Sequence, residues 1–304
     1  MVLIAAGQLC SSSSLTSNGK IAVKLIEKAV QRGVEILFLP EASDYIAKSM
    51  EFSKKIVKPV ETNPFVLQIQ EKLQKLHQEG KFIQINVGIH EPSTKSDRVL
   101  NTSIWLNSKG EIVQRYQKIH LFDVNIPNGA IIQESQGVEP GSEILKPFSV
   151  DGVEGVKVGL GICYDLRFPE LALRLRSLSA NVLSFPSAFT LRTGAAHWHL
   201  LGRARAIDTQ SYVVMAAQTG GHITLTDEDL EEGKRAEPAS RFSYGHAIII
   251  DPWGTVIAEV SDIDNSSTSH GLAVAEVDLD LIEKVRVNMP LWEQRRPDVF
   301  GYDV

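Results

Sequence analysis

The chain reads Gly159-Leu160-Gly161-Ile162-Cys163-Tyr164-Asp165 just past its midpoint, where an apolar strand runs out into a cysteine. Two further stretches share this design and contain a charged residue, Ile36-Leu37-Phe38-Leu39-Pro40-Glu41 and Tyr116-Gln117-Lys118-Ile119-His120. In α/β folds, reacting groups collect at the carboxyl ends of strands. The sequence therefore predicts that Glu41, Lys118 and Cys163 converge.

Around these stretches, apolar strands and amphipathic helices alternate. Apolar residues at helical spacing over residues 21–30 precede the continuous apolar run 34–39, which is typical of a strand buried on both faces. The same combination of helix and strand patterns recurs over residues 66–89 and 156–185. The turn sequence at 107–110 predicts a hairpin. This mixture predicts an α/β fold in which two mixed sheets pack face to face with helices outside.

The other segments are less regular. We expect a helix over about residues 195–208, a strand at 212–217, and a long irregular segment at 118–155. The acidic stretch 224–240 is typical of a surface loop or lid. No composition break or linker divides the chain, so we expect one domain spanning residues 1–304.

Composition narrows the class of protein. With 304 residues, 43% of them hydrophobic, the chain can bury a large core, and its net charge of -6 argues against binding nucleic acid or an anionic membrane. No run approaches the roughly 18 apolar residues that span a bilayer. The two cysteines, Cys10 and Cys163, cannot support a disulfide framework. We expect a cytoplasmic protein that acts on small molecules.

A free thiol has a pKa of about 8.5, so a cysteine nucleophile needs a base or a cation beside it. Glu41 can serve as the base and Lys118 as the cation. Taken singly, each residue has an ordinary explanation, because a lone cysteine is usually an inert apolar side chain. Their shared position after apolar strands favours catalysis.

These stretches resemble the three catalytic blocks of the nitrilase superfamily, and the match extends along the chain through 186–189, 202–206, 244–246 and 251–254. The resemblance implies a four-layer αββα sandwich with no cofactor. It also implies a triad of Glu41, Lys118 and Cys163. A second family glutamate matches Glu134, where it would orient the lysine and the substrate amide; the alternative is an exposed loop acid.

The residue types predict a mechanism through a thioester. Glu41 takes the thiol proton, Cys163 attacks the amide carbon, and Lys118 with the backbone N–H of Tyr164 stabilises the oxyanion. Glu41 then protonates the departing nitrogen and activates the water that hydrolyses the thioester.

Two further residues are candidates for binding substrate. Arg167 is the nearest cation along the chain that could bind a substrate carboxylate, or it forms an ion pair with Asp165 or Glu170. Thr193 is expected to be the N-cap of the next helix, whose N-terminus could receive an anion.

The histidines invite a metal or protease interpretation. His197 and His199 are two positions apart on a predicted helix, so their rings lie on different faces, which argues against joint ligation. We therefore expect no metal. His120 and His246 are expected to be hydrogen-bonded structural residues.

Within the superfamily, residues 186–189, 216–218 and 294–298 look most like the deaminated-glutathione amidase branch, which implies hydrolysis of a keto-acid amide to α-ketoglutarate and cysteinylglycine. Gly220-Gly221-His222 stands where that branch has Cys-Gly-Arg-His, so an omega-amidase acting on α-ketoglutaramate stays an alternative. A nitrilase and an inactive scaffold of the same fold are the others. The resemblance suggests a homodimer with the helix after Cys163 and a C-terminal arm from about 289 to 304 at the contact.

Overall fold

The structure, a computed structural model, describes residues 2–125, 131–260 and 270–302. Its helices are α1 (Leu15–Gln31), α2 (Met50–Ile56), α3 (Pro64–Gln78), α4 (Pro169–Ser177), α5 (Leu191–Thr209), α6 (Asp227–Glu231), α7 (Leu279–Asn288) and α8 (Pro297–Phe300). Its strands are β1 (Val2–Leu9), β2 (Ile36–Phe38), β3 (Gln84–Pro92), β4 (Val99–Leu106), β5 (Ile112–Gln117), β6 (Asp123–Asn125), β7 (Ile131–Gln133), β8 (Val138–Glu139), β9 (Phe148–Ser149), β10 (Lys157–Leu160), β11 (Val182–Ser184), β12 (Tyr212–Met215), β13 (Ala217–Gly221), β14 (Phe242–Tyr244), β15 (Ile248–Ile250), β16 (Val256–Glu259) and β17 (Gly271–Val277).

Two mixed sheets form the centre of the molecule. The first has the order β14-β13-β1-β2-β3-β4-β5, with β17 also paired to β1 and β8 to β4. The second has the order β16-β15-β12-β11-β10-β9, and β6 pairs with β7 apart from both. Parallel pairs such as β1–β2 and β10–β11 lie beside antiparallel pairs such as β3–β4, as the sequence predicts for mixed sheets.

Successive side chains of a strand point to opposite faces of the sheet, and this divides the core into layers. Ile4 and Phe38 face the second sheet and pack in the core between the sheets, whereas their neighbours Ala5 and Leu37 pack against α1 and α3. Helices α4 and α5 cover the second sheet through buried residues such as Leu175. Each fully buried Leu, Ile or Phe contributes roughly 1.5–3 kcal/mol relative to an exposed one. The predicted αββα sandwich is confirmed.

Helix α1 begins where its own sequence provides a cap. The Ser14 hydroxyl accepts the backbone N–H of Ser17 at 3.0 Å, which satisfies one of the unpaired donors of the first turn. Asp227, in the stretch predicted to be a loop or lid, bonds to Ser14 and Thr16. That stretch is therefore not all loop, because its short helix α6 is tied to the start of α1.

Three segments differ from the sequence-based expectation. The single strand expected over 212–217 is two strands, because the chain passes from the second sheet to the first at Ala216. The segment 118–155 contains the short strands β6 to β9: β6 and β7 pair with each other, β8 pairs with β4, and β9 pairs with β10, which follows it along the chain. Helix α5 begins at Leu191, one turn before the expected start. The predicted hairpin of β4 and β5 is confirmed.

Within these ranges, no helix is both long enough and apolar enough to cross a membrane. The C-terminal arm is described as far as Tyr302, and the last two positions of the expected arm lie outside the described residues.

Candidate active site

Glu41, Lys118 and Cys163 meet beyond the carboxyl ends of β2, β5 and β10, as the sequence predicts. The Lys118 Nζ atom lies 2.9 Å from Glu41 Oε1, although the two residues are 77 positions apart. Both side chains are almost fully buried, with 5% of Glu41 and 2% of Lys118 exposed. Buried charges are tolerated when they are paired and hydrogen-bonded, so this pair is built into the fold rather than placed on its surface.

Cys163 occupies a sharp turn between β10 and α4. Its backbone has a positive φ of 47°, and its N–H donates to the carbonyl of Pro186 at 3.0 Å. Such a backbone conformation is rare outside glycine and is often retained at functional sites. Two residues earlier, a Cβ on Gly161 would lie 2.5 Å from a ring carbon of Phe185, so only glycine lets the strand approach that ring.

The turn is fixed by the buried carboxylate of Asp165. Its two oxygens accept the Tyr116 hydroxyl at 2.7 Å, the backbone N–H of Ile162 at 2.9 Å and that of His120 at 3.0 Å. The His120 ring also contacts this carboxylate at 2.7 Å and stacks on Phe168. His120 is thus a hydrogen-bonded residue, as expected, and it positions the turn.

Glu41 has partners for both carboxylate oxygens. Besides Lys118, Oε1 accepts the Asn101 amide at 2.8 Å, and Oε2 accepts the backbone N–H of Ala188 at 3.0 Å. A Cβ on Gly88 would lie 2.5 Å from the Glu41 Cα, so the glycine allows β3 to run directly beside the glutamate. The carboxylate is held in one orientation by donors from three separate segments.

Glu134 follows Lys118 by 16 residues along the chain and belongs to the same cluster. Its two oxygens each lie 2.9 Å from Lys118 Nζ, and Oε2 also accepts the backbone N–H of Phe122 at 2.6 Å. The alternative of a solvent-exposed loop acid does not describe this half-buried residue.

The electrostatics of the cluster set the protonation states. Burial alone would raise the pKa of Glu41, but the Lys118 charge and hydrogen bonds from Cys163, Lys118 and Asn101 bring it below the usual value. Burial opposes the charged form of Lys118, yet two carboxylates raise its pKa well above normal. Burial and the Glu41 carboxylate raise the pKa of the Cys163 thiol well above its usual value. The resting site therefore holds a neutral thiol beside an ionised glutamate and a charged lysine.

A cavity of about 700 Å³ opens above this cluster. Volumes of this size are typical of small-molecule sites. Besides the cluster itself, it is lined by the cations Lys48, Arg167, Arg192 and Arg241. Its charge therefore suits a ligand that carries carboxylates.

The candidate binding residues Tyr164, Arg167 and Thr193 all line this cavity. The Tyr164 ring packs edge-on against Phe122, with the ring centres 5.0 Å apart. Arg167 does not pair with Asp165, whose oxygens are taken by other donors. It lies 3.2 Å from His197 Nδ1 instead and over the Tyr164 ring.

The expectation that Thr193 caps α5 is wrong. Thr190 is the N-cap, because its hydroxyl accepts the Thr193 N–H and its carbonyl accepts the N–H of Gly194 at 2.8 Å. Thr193 sits in the first turn of the helix and its hydroxyl donates back to the Thr190 carbonyl at 3.3 Å. Either threonine has a side chain that could cap a helix. Thr190 is the cap because its backbone is extended, whereas Thr193 already lies within the helix.

Sequence patterns did not single out Asn101 or the N–H of Ala188 as parts of the site. Asn101 belongs to β4, where Asn101, Thr102 and Ser103 form a buried polar run inside an otherwise apolar strand. Such a run is a usable signal, because buried polar groups need partners. A backbone N–H carries no sequence signal at all.

A model of the carbon-nitrogen hydrolase family matches residues 3–287 of the chain. This chain belongs to the carbon-nitrogen hydrolase family. It is 42% identical over 301 residues to a probable hydrolase, nit2, of Schizosaccharomyces pombe, with 99% of each chain covered. It is 38% identical over 307 residues to the deaminated glutathione amidase of Homo sapiens, covering 98% of this chain and 84% of that relative.

Solved structures agree with this membership. The NitFhit protein of Caenorhabditis elegans, a fusion of a nitrilase with a fragile histidine triad protein, superposes with a TM-score of 0.83 at 34% identity. The match covers 99% of this chain and 66% of that protein, so the chain spans slightly less than two thirds of the fusion. As a member of this family, the protein hydrolyses carbon–nitrogen bonds other than peptide bonds. A cysteine-dependent amidase activity is consistent with the relatives that are named amidases.

Proposed function

We propose that this carbon-nitrogen hydrolase is an amidase in which Cys163 is the nucleophile, Glu41 the general base and Lys118 the oxyanion cation. The observation that carries the proposal is the buried 2.9 Å contact between Lys118 Nζ and Glu41 Oε1, in a cavity that the Cys163 thiol also lines. Groups of these three types, held within reach of one another, can perform covalent catalysis.

The raised pKa of the Cys163 thiol determines how the first step runs. Since the resting thiol is neutral, Glu41 takes its proton as sulfur attacks the amide carbon, and the C–N bond then breaks as Glu41 protonates the leaving nitrogen. The acyl group remains on sulfur as a thioester. Glu41 next removes a proton from water, which attacks the thioester carbon and releases the acid with the regenerated thiol.

Charge develops on the amide oxygen during each attack. Lys118 Nζ and the backbone N–H of Tyr164 are proposed to stabilise it. Tyr164 is the second residue of the short 3-10 turn Cys163–Arg167, where N–H groups point out of the N-terminal end. Glu134 is proposed to position Lys118 through its two 2.9 Å contacts and to receive the substrate amide N–H.

We propose deaminated glutathione as the substrate, because it carries a carboxylate at each end. Arg167, half-buried beside the Cys163 turn, suits the carboxylate of the α-ketoglutaryl part. The exposed cations Lys48, Arg192 and Arg241 suit the terminal carboxylate of cysteinylglycine. Thr193 is proposed to line the same side of the cavity. A substrate with one carboxylate, such as α-ketoglutaramate, would leave part of this charge unused.

The experiment compares kcat/KM for deaminated glutathione, glutathione and α-ketoglutaramate on the purified enzyme. Deaminated glutathione should lead, and glutathione should be poor because its ammonium group would enter a cavity lined by cations. An α-ketoglutaramate value ten or more times higher, equal to about 1.4 kcal/mol of transition-state binding, would replace this proposal with the omega-amidase.

Two other possibilities are tested in the same assay. A nitrile compared with its matching amide separates a nitrilase from an amidase, and we expect the amide to be turned over faster. A thiol-reactive substrate analogue should label Cys163, which an inactive scaffold with a blocked site would not permit.

The cluster of Glu41, Lys118 and Cys163 takes residues from both sheets, and this supports a single catalytic domain.

We also propose that the enzyme works as a homodimer in the cytoplasm, where reducing conditions keep Cys163 as a thiol. The described part of the C-terminal arm lies beside α4, since Arg176 stacks on Trp292 at 5.2 Å. The arm also exposes large apolar side chains, including 71% of Phe300. Such side chains support a contact between two copies. Phe300→Asp should halve the mass seen by analytical ultracentrifugation, and an unchanged monomer in both proteins would reject the dimer.

A further inference from the structure

Three side chains from separate segments meet at the edge of the second sheet. His199 lies midway along α5, His246 in the turn before β15, and Glu259 at the end of β16. The Glu259 Oε1 atom is 3.0 Å from His199 Nε2 and 2.6 Å from His246 Nδ1. None of the three lines the cavity above Cys163. The mechanism makes no use of this cluster.

We propose that His199, His246 and Glu259 form a binding site for a divalent transition-metal ion of the Zn²⁺ type. Their three candidate donor atoms lie within 4.8 Å of one another. Two imidazole nitrogens and a carboxylate oxygen are a donor set that Zn²⁺ binds at about 2.0–2.2 Å. Small side-chain movements would bring the present spacing to the roughly 3.3 Å that separates ligand atoms in a tetrahedral site.

The surroundings hold the ligands in place, as a metal site requires. The His246 ring stacks on Tyr244 with the ring centres 4.5 Å apart, and its backbone carbonyl accepts the Trp198 indole N–H at 2.6 Å. Trp198 directly precedes His199 in α5. Glu259 is the pairing partner of Ile248 in the β15–β16 register. Both the helix and the strand edge therefore fix where the donor atoms lie.

Proton and ligand balance are simple at this site. A bound ion would take the lone pair of the ring nitrogen that now contacts Glu259. A proton carried by that nitrogen would pass through solvent to the other nitrogen of the same ring. Three protein ligands leave a fourth position for water. An ion held this way would cross-link α5 to the strand edge and stabilise the folded state.

This site differs from the one considered in the sequence. His197 contacts Arg167, so the pair His197 and His199 is not brought together. The ligands that complete the cluster come from positions 47 and 60 residues further along the chain, as 246 minus 199 and 259 minus 199 show. A local sequence motif cannot reveal such a combination. The expectation of no metal was based only on the spacing of His197 and His199.

The test uses chelator-treated full-length protein carrying Cys163→Ala, which removes the Cys163 thiol as a competing ligand. Zn²⁺ is titrated by calorimetry and Co²⁺ by visible absorption. We expect one ion per chain, a tetrahedral Co²⁺ spectrum without a thiolate charge-transfer band, and a rise in Tm on adding Zn²⁺. Adding His199→Ala or Glu259→Gln should weaken binding at least about tenfold.

His77→Ala on α3 is the matched control, because that histidine contacts Ser108 and Phe82 and has no second histidine or acid among those contacts. It should bind Zn²⁺ as tightly as the parent protein. His246 is left unchanged, since its φ of 59° makes substitution there a folding risk. Equal affinity in the parent, His199→Ala and Glu259→Gln proteins, or a thiolate band from Cys10, would overturn the proposal.

Discussion

The Glu134 carboxylate holds the Lys118 ammonium with both of its oxygens, each 2.9 Å from Nζ. Glu41 makes a third contact of the same length, so one cation is shared by two acids. The excess negative charge keeps Lys118 protonated, and burial together with the Glu41 carboxylate raises the pKa of the Cys163 thiol. A thiol that stays neutral until substrate arrives is protected from indiscriminate reaction.

Glu134→Gln should lower kcat by about 10²-fold while changing KM much less, because the amide cannot hold the ammonium with two charged contacts. Steady-state kinetics measure both constants. Glu139→Gln is the control, since this surface acid bonds to Ser93 and Ser96 and has no contact with the lysine. Equal losses in both variants would mean that Glu134 matters only for folding.

Cys163→Ala should abolish hydrolysis and leave the fold intact, because removing a half-buried sulfur at a surface cavity creates little void. Activity is followed by product release and folding by circular dichroism. The second cysteine provides the comparison: Cys10→Ala should keep most of the turnover, since its thiol contacts the Gly221 carbonyl and lies outside the cavity lining. Residual activity above about one part in a thousand in the first variant would reject Cys163 as nucleophile.

Lys118→Met should reduce kcat by roughly 10²- to 10³-fold, the usual effect of losing one oxyanion donor. The loss arises in the transition state, where charge develops, so substrate affinity should change far less. Burst and steady-state measurements separate the two effects. If KM alone rose, the lysine would be a binding residue.

The pH dependence of kcat/KM should be nearly flat between about pH 5 and 9. The competent form has Glu41 ionised and the Cys163 thiol protonated. Its acid limit lies below the usual glutamate value of 4.5, because the pKa of Glu41 is lowered, and its basic limit lies above 9.0, because the pKa of the thiol is raised. A titration near pH 6.5 would instead implicate a histidine as the base.

Arg167→Lys should reduce kcat/KM for both deaminated glutathione and α-ketoglutaramate, because a point charge replaces a planar, two-pronged donor at the carboxylate they share. Arg241→Met should reduce it only for deaminated glutathione, whose second carboxylate lies in the leaving group. Parallel kinetics on the two substrates check this. If Arg241→Met affected both substrates alike, the two-ended binding model would fail.

Much of the candidate site could be predicted from local patterns. A strand that ends in a polar residue is visible within six or seven positions, and this was enough to predict that Glu41, Lys118 and Cys163 converge. The α/β alternation likewise follows from residue periodicity, so the two mixed sheets and the outer helices were predicted correctly. The substrate roles of Arg167 and Thr193 stay predictions.

Two kinds of feature depend on the three-dimensional fold: contacts between remote segments, and the choice between equivalent local signals. The amide of Asn101 and the N–H of Ala188 reach Glu41 across 60 and 147 residues, and neither distance is encoded in a local period. Thr190 rather than Thr193 caps α5 because of backbone dihedrals that packing sets. Local sequence was sufficient for the main helices and strands and for the reactive side chains that follow three of the strands, because hydrophobic periodicity acts over a few residues. Tertiary packing decided which groups share a proton, a charge or a ligand, because those interactions depend on distance in space rather than along the chain.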